Sequence, residues 1–597
     1  MTPPARSWLR TGIVLLIGLA PLSARAANTY YVAPTGSDSN AGTMAAPFAT
    51  LQKANDSATG GDTILLRAGT YNCTTQITLS KSGTSDTNRT KIWAYTGEVP
   101  VLDFSNFSLA SQTSDHPAIT VTGSWMHLKG LEIANGKVGT SGSHSYSLLR
   151  TKSASNNTFE LLNIHHGFGP GLFVDTGTGG NLILNCDSHD NYDVNGSQGD
   201  GQNGDGFGVH YQTTGPSTVI RGCRAWNDSD DGYDLISQEV PVTVENSWAF
   251  KNGHGADGNG NGFKMGSSQT GIRHLVQQNV AWSNLAAGFY ANHSTGGNTW
   301  YNNTSYNNGS QYNMLASSFD SSGNVTGTIT LSGSLAHIMK NNIGYPDKNS
   351  NMGGVMTSFN TWDLGITPAA SDFASISDTG CTGPRAADGS LPTACAFMHL
   401  TAGSRMIDKG TNVNLPYVGT APDLGAYEYG ATGGTTGTGG TTGTGGSGTG
   451  TGGAAGGSGG AAGKGGTTGT AGTNGSGGTT GSGGTTGSGG TTGSGGTTSS
   501  GGTTGTGGSG TGSGGTVGTG TGGNTGSGGT TTGAGGAGVS SGGATGSGGS
   551  TTGAGASSGC SCDTAPGGQG GLFGVLLLSL MMVATGRRKP ATKGWRR

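Results

Sequence analysis

The sequence predicts an all-β chain folded as a right-handed parallel β-helix, followed by a Gly/Thr/Ser-rich linker and a short hydrophobic C-terminal tail. Two observations carry the solenoid. Four columns of like residues recur in register over six coils, and the spacing between repeats has a floor with variable excess. The first column reads Asn163, Asn185, Gly222, Asn246, Gln278, Asn302 and Asn341, at spacings of 22, 37, 24, 32, 24 and 39. The next reads Ile164, Cys186, Cys223, Ser247, Asn279, Asn303 and Asn342. Small residues follow at Ser188, Ala225, Ala249, Ala281, Ser305 and Gly344, then aromatics at Trp226, Phe250, Trp282, Tyr306 and Tyr345. Stacked coils produce this pattern because each adds short strands and insertions leave at the turns. Within each segment apolar residues alternate with period two, and no helical stripe persists. A β-sandwich would not hold four columns in register over so many repeats. Stacked Asn side chains are expected to hydrogen-bond along the axis. The stretch Asp423–Tyr429 is expected to cap the last coil and hide its edge.

The ends of the chain read differently. Arg6 and Arg10, the short apolar run Gly12 to Leu22 and the small-residue site Ala24-Arg25-Ala26 have the form of a secretory signal over residues 1–27. Residues 28–430 have the variety needed to bury a large core. Most of the glycine excess lies beyond Gly430, and residues 431–559 are nearly all Gly, Thr and Ser. Such a segment cannot form a core and is expected to be a flexible tether, with a root-mean-square reach of roughly 60 Å. Residues 560–597 hold Cys560 and Cys562, the apolar run Leu572 to Ala584 and the basic Arg587-Arg588-Lys589. This order resembles the myxobacterial C-terminal sorting tail, which implies display at the outer cell surface; a short membrane anchor is the alternative reading.

The seven cysteines suit an exported protein. Cys381 and Cys395 are expected to pair, Cys73 to stay unpaired, and Cys186 and Cys223 to stack as core thiols, with a disulfide between those two as the alternative. No Cys/His spacing suggests zinc. The formal charge is −3; the signal and the tail's basic end carry nine cations and no acid, so the rest stands near −12. That excludes nucleic acid as a partner. It also means that an anionic substrate needs a bridging cation.

A second set of columns carries the chemistry. Gly206-Phe207-Gly208, Gly232-Tyr233-Asp234, Gly262-Phe263-Lys264 and Gly288-Phe289-Tyr290 align at spacings of 26, 30 and 26. On stacked strands Asp234 and Lys264 would be roughly 4.8 Å apart. Asp205, Asp230 and Asp231 lie in the turns just before. Four carboxylates around one point repel unless a cation sits among them, and oxygen-only ligands point to Ca²⁺. A uronate could offer its carboxylate to that ion while a neutral Lys264 removes the C5 proton, so activity is expected to rise toward alkaline pH. The bland alternative makes the aspartates turn-formers and Lys264 their salt-bridge partner.

These motifs resemble the family 9 polysaccharide lyases. The opening YYVAPTGSDSNAGT…PFATLQKA…GGDTILLRAGTY is shared with other secreted β-helix proteins and speaks only to fold. NGDGFG, RAWNDSDDGYDL and GNGNGFKMG are more specific. The resemblance covers about Thr29 to Asn308, and weakly to Gly430. It implies a calcium-dependent pectate lyase with Asp205, Asp230, Asp231 and Asp234 as metal ligands, Lys264 as base and an acidic polysaccharide as partner. Candidates for substrate binding are Arg224, Arg273, Tyr290, Asn292, His293 and the loop His254 to Asn261. The chain is expected to act as a monomer. A β-helix glycoside hydrolase using Asp205, Asp230 and Asp231, a rhamnogalacturonan lyase and a non-catalytic surface adhesin stay open as alternatives.

Overall fold

The computed structural model describes residues 25–107, 116–136, 146–194, 199–267, 272–320 and 324–431, and the backbone of a two-residue antiparallel pair, Thr492–Gly493 with Gly495–Gly496. The signal segment up to residue 24, the rest of the linker and the sorting tail lie outside the described residues. No helix among the described residues is long and apolar enough to cross a membrane.

Three parallel sheets of 12, 9 and 10 strands wind as the faces of a right-handed β-helix. Each coil contributes one short strand to each sheet. The small-residue and aromatic columns hold their register in the third sheet, where Trp226, Phe250, Trp282, Tyr306 and Tyr345 lie opposite one another in succession.

One coil is corrected. Asn163 pairs with Asp187 and Ile164 with Ser188, two positions further along than the sequence alignment placed them. The residue equivalent to Asn185 is Leu161, so the first spacing is 24, not 22. The corner column explains the error. Leu161, Asn185, Gly222, Asn246, Gln278, Asn302 and Asn341 all have φ between 51° and 67°. Asn and Gly reach this left-handed region most easily, so they mark the corner wherever they occur. Leu161 adopts it without that signature, and the nearby Asn163 attracted the alignment instead.

The next column, inside the corner, forms the expected ladder. The Asn303 carboxamide oxygen accepts from the backbone and side-chain nitrogens of Asn279, both at 3.1 Å, and its Nδ2 donates to Val276 O and Asn342 Oδ1. A second ladder, absent from the sequence reading, runs through Asn191, Asp228, Asn252, Asn284 and Asn308. Buried groups without partners cost about 1–3 kcal/mol each. Asn303→Ala takes these bonds from Asn279 N and Val276 O, while Asn279 Nδ2 keeps Val244 O and Asn342 Oδ1 keeps Asn303 N, and it is expected to lower stability by about 2 kcal/mol or more in urea unfolding. Asn303→Ser, matching Ser247 two coils earlier, should cost less; equal midpoints for wild type and both variants would remove the ladder's structural role.

Cys381 and Cys395 form a disulfide. Cys73 is free and half-buried, and Cys186 and Cys223 are free buried thiols stacked on neighbouring coils. Asp423–Tyr429 does not lie across the end of the solenoid. Leu424, Ala426 and Tyr427 pack along its flank with Trp248, Trp282 and Ile343, and Gly425 N–H donates to Asn341 O. The outward aromatic column leaves an apolar flank there, and burying it favours the side position.

Candidate active site

The second sheet sets the geometry. Its strands Phe207–His210, Tyr233–Ile236, Phe263–Met265, Ala287–Tyr290 and Ser310–Asn313 lie side by side in parallel. Phe207, Tyr233, Phe263, Phe289 and Tyr312 point inward and stack ring on ring at 4.6–5.2 Å. Successive side chains alternate faces, so this inner stack fixes what the outer face presents. Gly208, Asp234, Lys264 and Tyr290 therefore form one outward row in register.

The turns leading into these strands bring in the other acids. Asp205, Asp231 and Asp234 each offer an oxygen within 4.8 Å of the others. Asp231 N–H donates to Asp205 Oδ1 at 3.2 Å, and Asn261 donates through its backbone and side chain to Asp231 Oδ1 at 2.6 and 2.9 Å. Asp230 stands beside this trio and accepts from the backbone N–H of Asn259. The Lys264 amine reaches into the cluster, 2.8 Å from Asp231 Oδ2, 3.4 Å from Asp234 Oδ2 and 3.0 Å from Asn259 Oδ1. None of the five charged residues is more than 6 % exposed, so water screens their interaction weakly.

The electrostatics follow. Burial alone would lower the pKa of Lys264, but Asp231, Asp234, Asp230 and Asp205 outweigh it and hold the amine well above the lysine range. Burial, reinforced by Asp231 and Asp205, raises Asp230 well above the carboxylate range. Burial also raises Asp231, against the pull of Lys264. Four carboxylates thus share one ammonium, and the donor set is all oxygen. Three hard donors in close reach, with negative charge in excess, fit a calcium ion.

The remaining candidates divide. Tyr290 lies opposite Lys264 on the next coil, and burial pushes its hydroxyl up to about 12. His293 packs its ring 5.9 Å from that of Tyr290, edge to face. Asn292 turns its amide toward Leu235 O at 3.4 Å, and His254 rests against Tyr192. Arg224 does not belong to the site. It is buried on the third sheet, clasping Asp187 at 2.6 Å and donating to Cys381 O and Gly383 O. Arg273 is likewise committed, donating to Asn298 O, Ser334 O and Ala336 O. A uronate attracts arginine, but in each case backbone carbonyls or a buried acid claim the guanidinium.

One neighbour escapes the sequence reading, and a second stands in it only within the loop His254 to Asn261. His210, buried on the same face two residues beyond Gly208, brings Nε2 to 3.6 Å from Asp234 Oδ2. Counting two positions along the strand would have found it. Asn259 was included only as part of a loop, yet it bridges Asp230 and Lys264.

The comparisons agree with this fold. The sequence profile described as "Pel9A-like, right handed beta helix region" matches residues 30–342. Pectate lyase L of Dickeya chrysanthemi is 36% identical over 412 residues, spanning 67% of this chain and 90% of that protein. The crystal structure of pectate lyase Pel9A aligns with a TM-score of 0.54 at 32% identity, covering 68% of this chain and 97% of its own. A rhamnogalacturonan lyase structure aligns with a TM-score of 0.55 at 31% identity, covering 63% and 97%. The chain therefore belongs to the Pel9A-like right-handed β-helix family.

Proposed function

We propose that the chain is an exported, calcium-dependent pectate lyase that cleaves polygalacturonate by β-elimination with Lys264 as the base. The observation that carries this reading is a single lysine amine set within 3.4 Å of two carboxylates of a buried four-aspartate cluster. The lyase names of the similar proteins support the reaction class, and the signal-like N-terminus supports export.

Asp205, Asp231 and Asp234 would hold the ion, with Asp230 beside them. Bound calcium would supply positive charge that neutralises the aspartates and draws in the uronate carboxylate. With the aspartates so neutralised, less negative charge holds the proton on Lys264, and its amine is freed to act. Nζ then takes the C5 proton; the C–H electron pair becomes the C4–C5 double bond, and the C4–O bond breaks. The departing sugar oxygen keeps the C4–O electron pair and takes a proton from water, and Lys264 returns its proton to water. Asn259 Oδ1 orients the amine throughout. Tyr290, one coil on, offers a ring and a protonated hydroxyl beside the base.

Incubation with polygalacturonate, watched in the ultraviolet, tests the reaction. Elimination gives an unsaturated product and rising absorbance; chelator should stop the rise and added Ca²⁺ restore it. New reducing ends without absorbance would establish hydrolysis instead. A parallel arm with rhamnogalacturonan decides between the two substrates named by the similar structures.

A further inference from the structure

Over the coils from Asn185 to Asn341 the three widest spacings, 37, 32 and 39, place most of their extra residues at the edges of the second sheet. The first two lengthen the turns leading into its strands, between Asp187–His189 and Phe207–His210 and between Trp248–Phe250 and Phe263–Met265. Those two turns lock together: Asp200 N–H donates to Asp257 Oδ2 at 2.8 Å, and Asp257 N–H to Asp200 O at 2.9 Å. The third lies on the opposite edge, after Ser310–Asn313, and includes the antiparallel pair Ala316–Phe319 with Val325–Ile329. The row Asp234, Lys264 and Tyr290 runs between these edges.

His293 links this antiparallel pair to the row. His293 bridges to Ala316 through its backbone, and its Nδ1 is 2.7 Å from the hydroxyl of buried Ser317. Its Nε2 makes no hydrogen bond to a described residue, and its ring meets Tyr290 edge to face. Burial, with a smaller contribution from Lys264, lowers its pKa, which keeps the ring neutral. The two arginines that could have bound a uronate are committed elsewhere.

We propose that the antiparallel pair Ala316–Phe319 with Val325–Ile329 is a specificity element: Ser317 positions His293 so that its Nε2–H donates to an oxygen of the uronate chain one to two sugars from the cleavage point, beside the Tyr290 ring. This arrangement requires the Ser317 hydroxyl, 2.7 Å from Nδ1, to donate to it, which would fix the proton on Nε2. His293 follows a strand one coil past Lys264 and Ser317 follows one two coils past, so they extend the groove by roughly 5–10 Å. The proposal rests on the lyase reading above and names its substrate contact.

The test is steady-state elimination on polygalacturonate and on a short oligogalacturonate by the full chain with Ca²⁺. A neutral hydrogen bond of about 0.5–1.5 kcal/mol corresponds to about two- to tenfold. His293→Ala is expected to raise KM by that factor with kcat nearly unchanged, whereas His293→Gln, which keeps a donor, should recover most of it. Ser317→Ala should follow His293→Ala in the same direction, and Ser317→Thr should restore binding. KM values for His293→Ala and Ser317→Ala equal to wild type would overturn the proposal. So would an equal fall in kcat for all four variants, because that would signal a structural role. Failure of the lyase reading looks different: wild type itself would give no ultraviolet product.

Discussion

Lys264→Ala is expected to lower kcat by about 10²–10⁴-fold, the range a positioned general base contributes, while the coil stack stays folded. The inner neighbours explain the second half. Phe263 and Met265 remain in the core and keep the strand in place; Lys264 points outward and closes no cavity. What it leaves behind is charge. Asp231 and Asp234 lose the ammonium at 2.8 and 3.4 Å, and removing one partner of a buried pair costs about 3–5 kcal/mol. The variant should therefore melt well below wild type in chelator and near it in saturating Ca²⁺. Lys264→Arg separates the two roles. It keeps a permanent cation beside the aspartates, but guanidinium does not give up its proton at working pH, so it should be stable and inactive. Elimination by Lys264→Arg within about tenfold of wild type would remove Lys264 as the base.

Much of this site could be read in advance because its geometry is periodic. A parallel coil turns equal column positions into neighbours about 4.8 Å apart, so aligning Gly232-Tyr233-Asp234 with Gly262-Phe263-Lys264 was enough to put acid beside amine. The inward Phe and Tyr column has the same period and makes that alignment unambiguous. Where the marker residue was missing, the reading slipped: Leu161 occupies the left-handed corner that Asn or Gly fills on later coils. Side-chain partners from distant sequence could not be read at all. Arg224 meets Cys381 O and Gly383 O across more than 150 residues, and nothing in its own coil announces that the C-terminal segment folds back over it. Asn259 and His210 are intermediate cases. The first sits in an insertion, where column logic lapses; the second lies on a legible strand and needed only the alternation rule.

Asp231→Asn should weaken calcium binding by about 10²- to 4 × 10³-fold and carry the loss through to activity at limiting Ca²⁺. Asp231 is the most enclosed of the cluster, at 0% exposure, and is the acid nearest the amine. The substitution keeps an oxygen that can accept from both nitrogens of Asn261, so the turn should hold and the change is chiefly one of charge. A cost of about 3–5 kcal/mol for removing one charge of a buried pair gives the quoted range. The same change acts on the base. Asp231 is the strongest of the four carboxylates raising the pKa of Lys264, so its neutralisation lets that pKa fall. A raised lysine pKa means the free amine appears only at high pH; lowering it moves the onset of activity toward neutrality. Asp231→Asn assayed at saturating Ca²⁺ should thus show a lower maximal rate with its pH profile displaced to the acid side. Calorimetric titration with Ca²⁺ and the pH dependence of kcat check the two halves separately. Wild-type calcium affinity in this variant would remove Asp231 from the metal site. An unmoved pH profile would break the electrostatic link between the aspartates and the lysine.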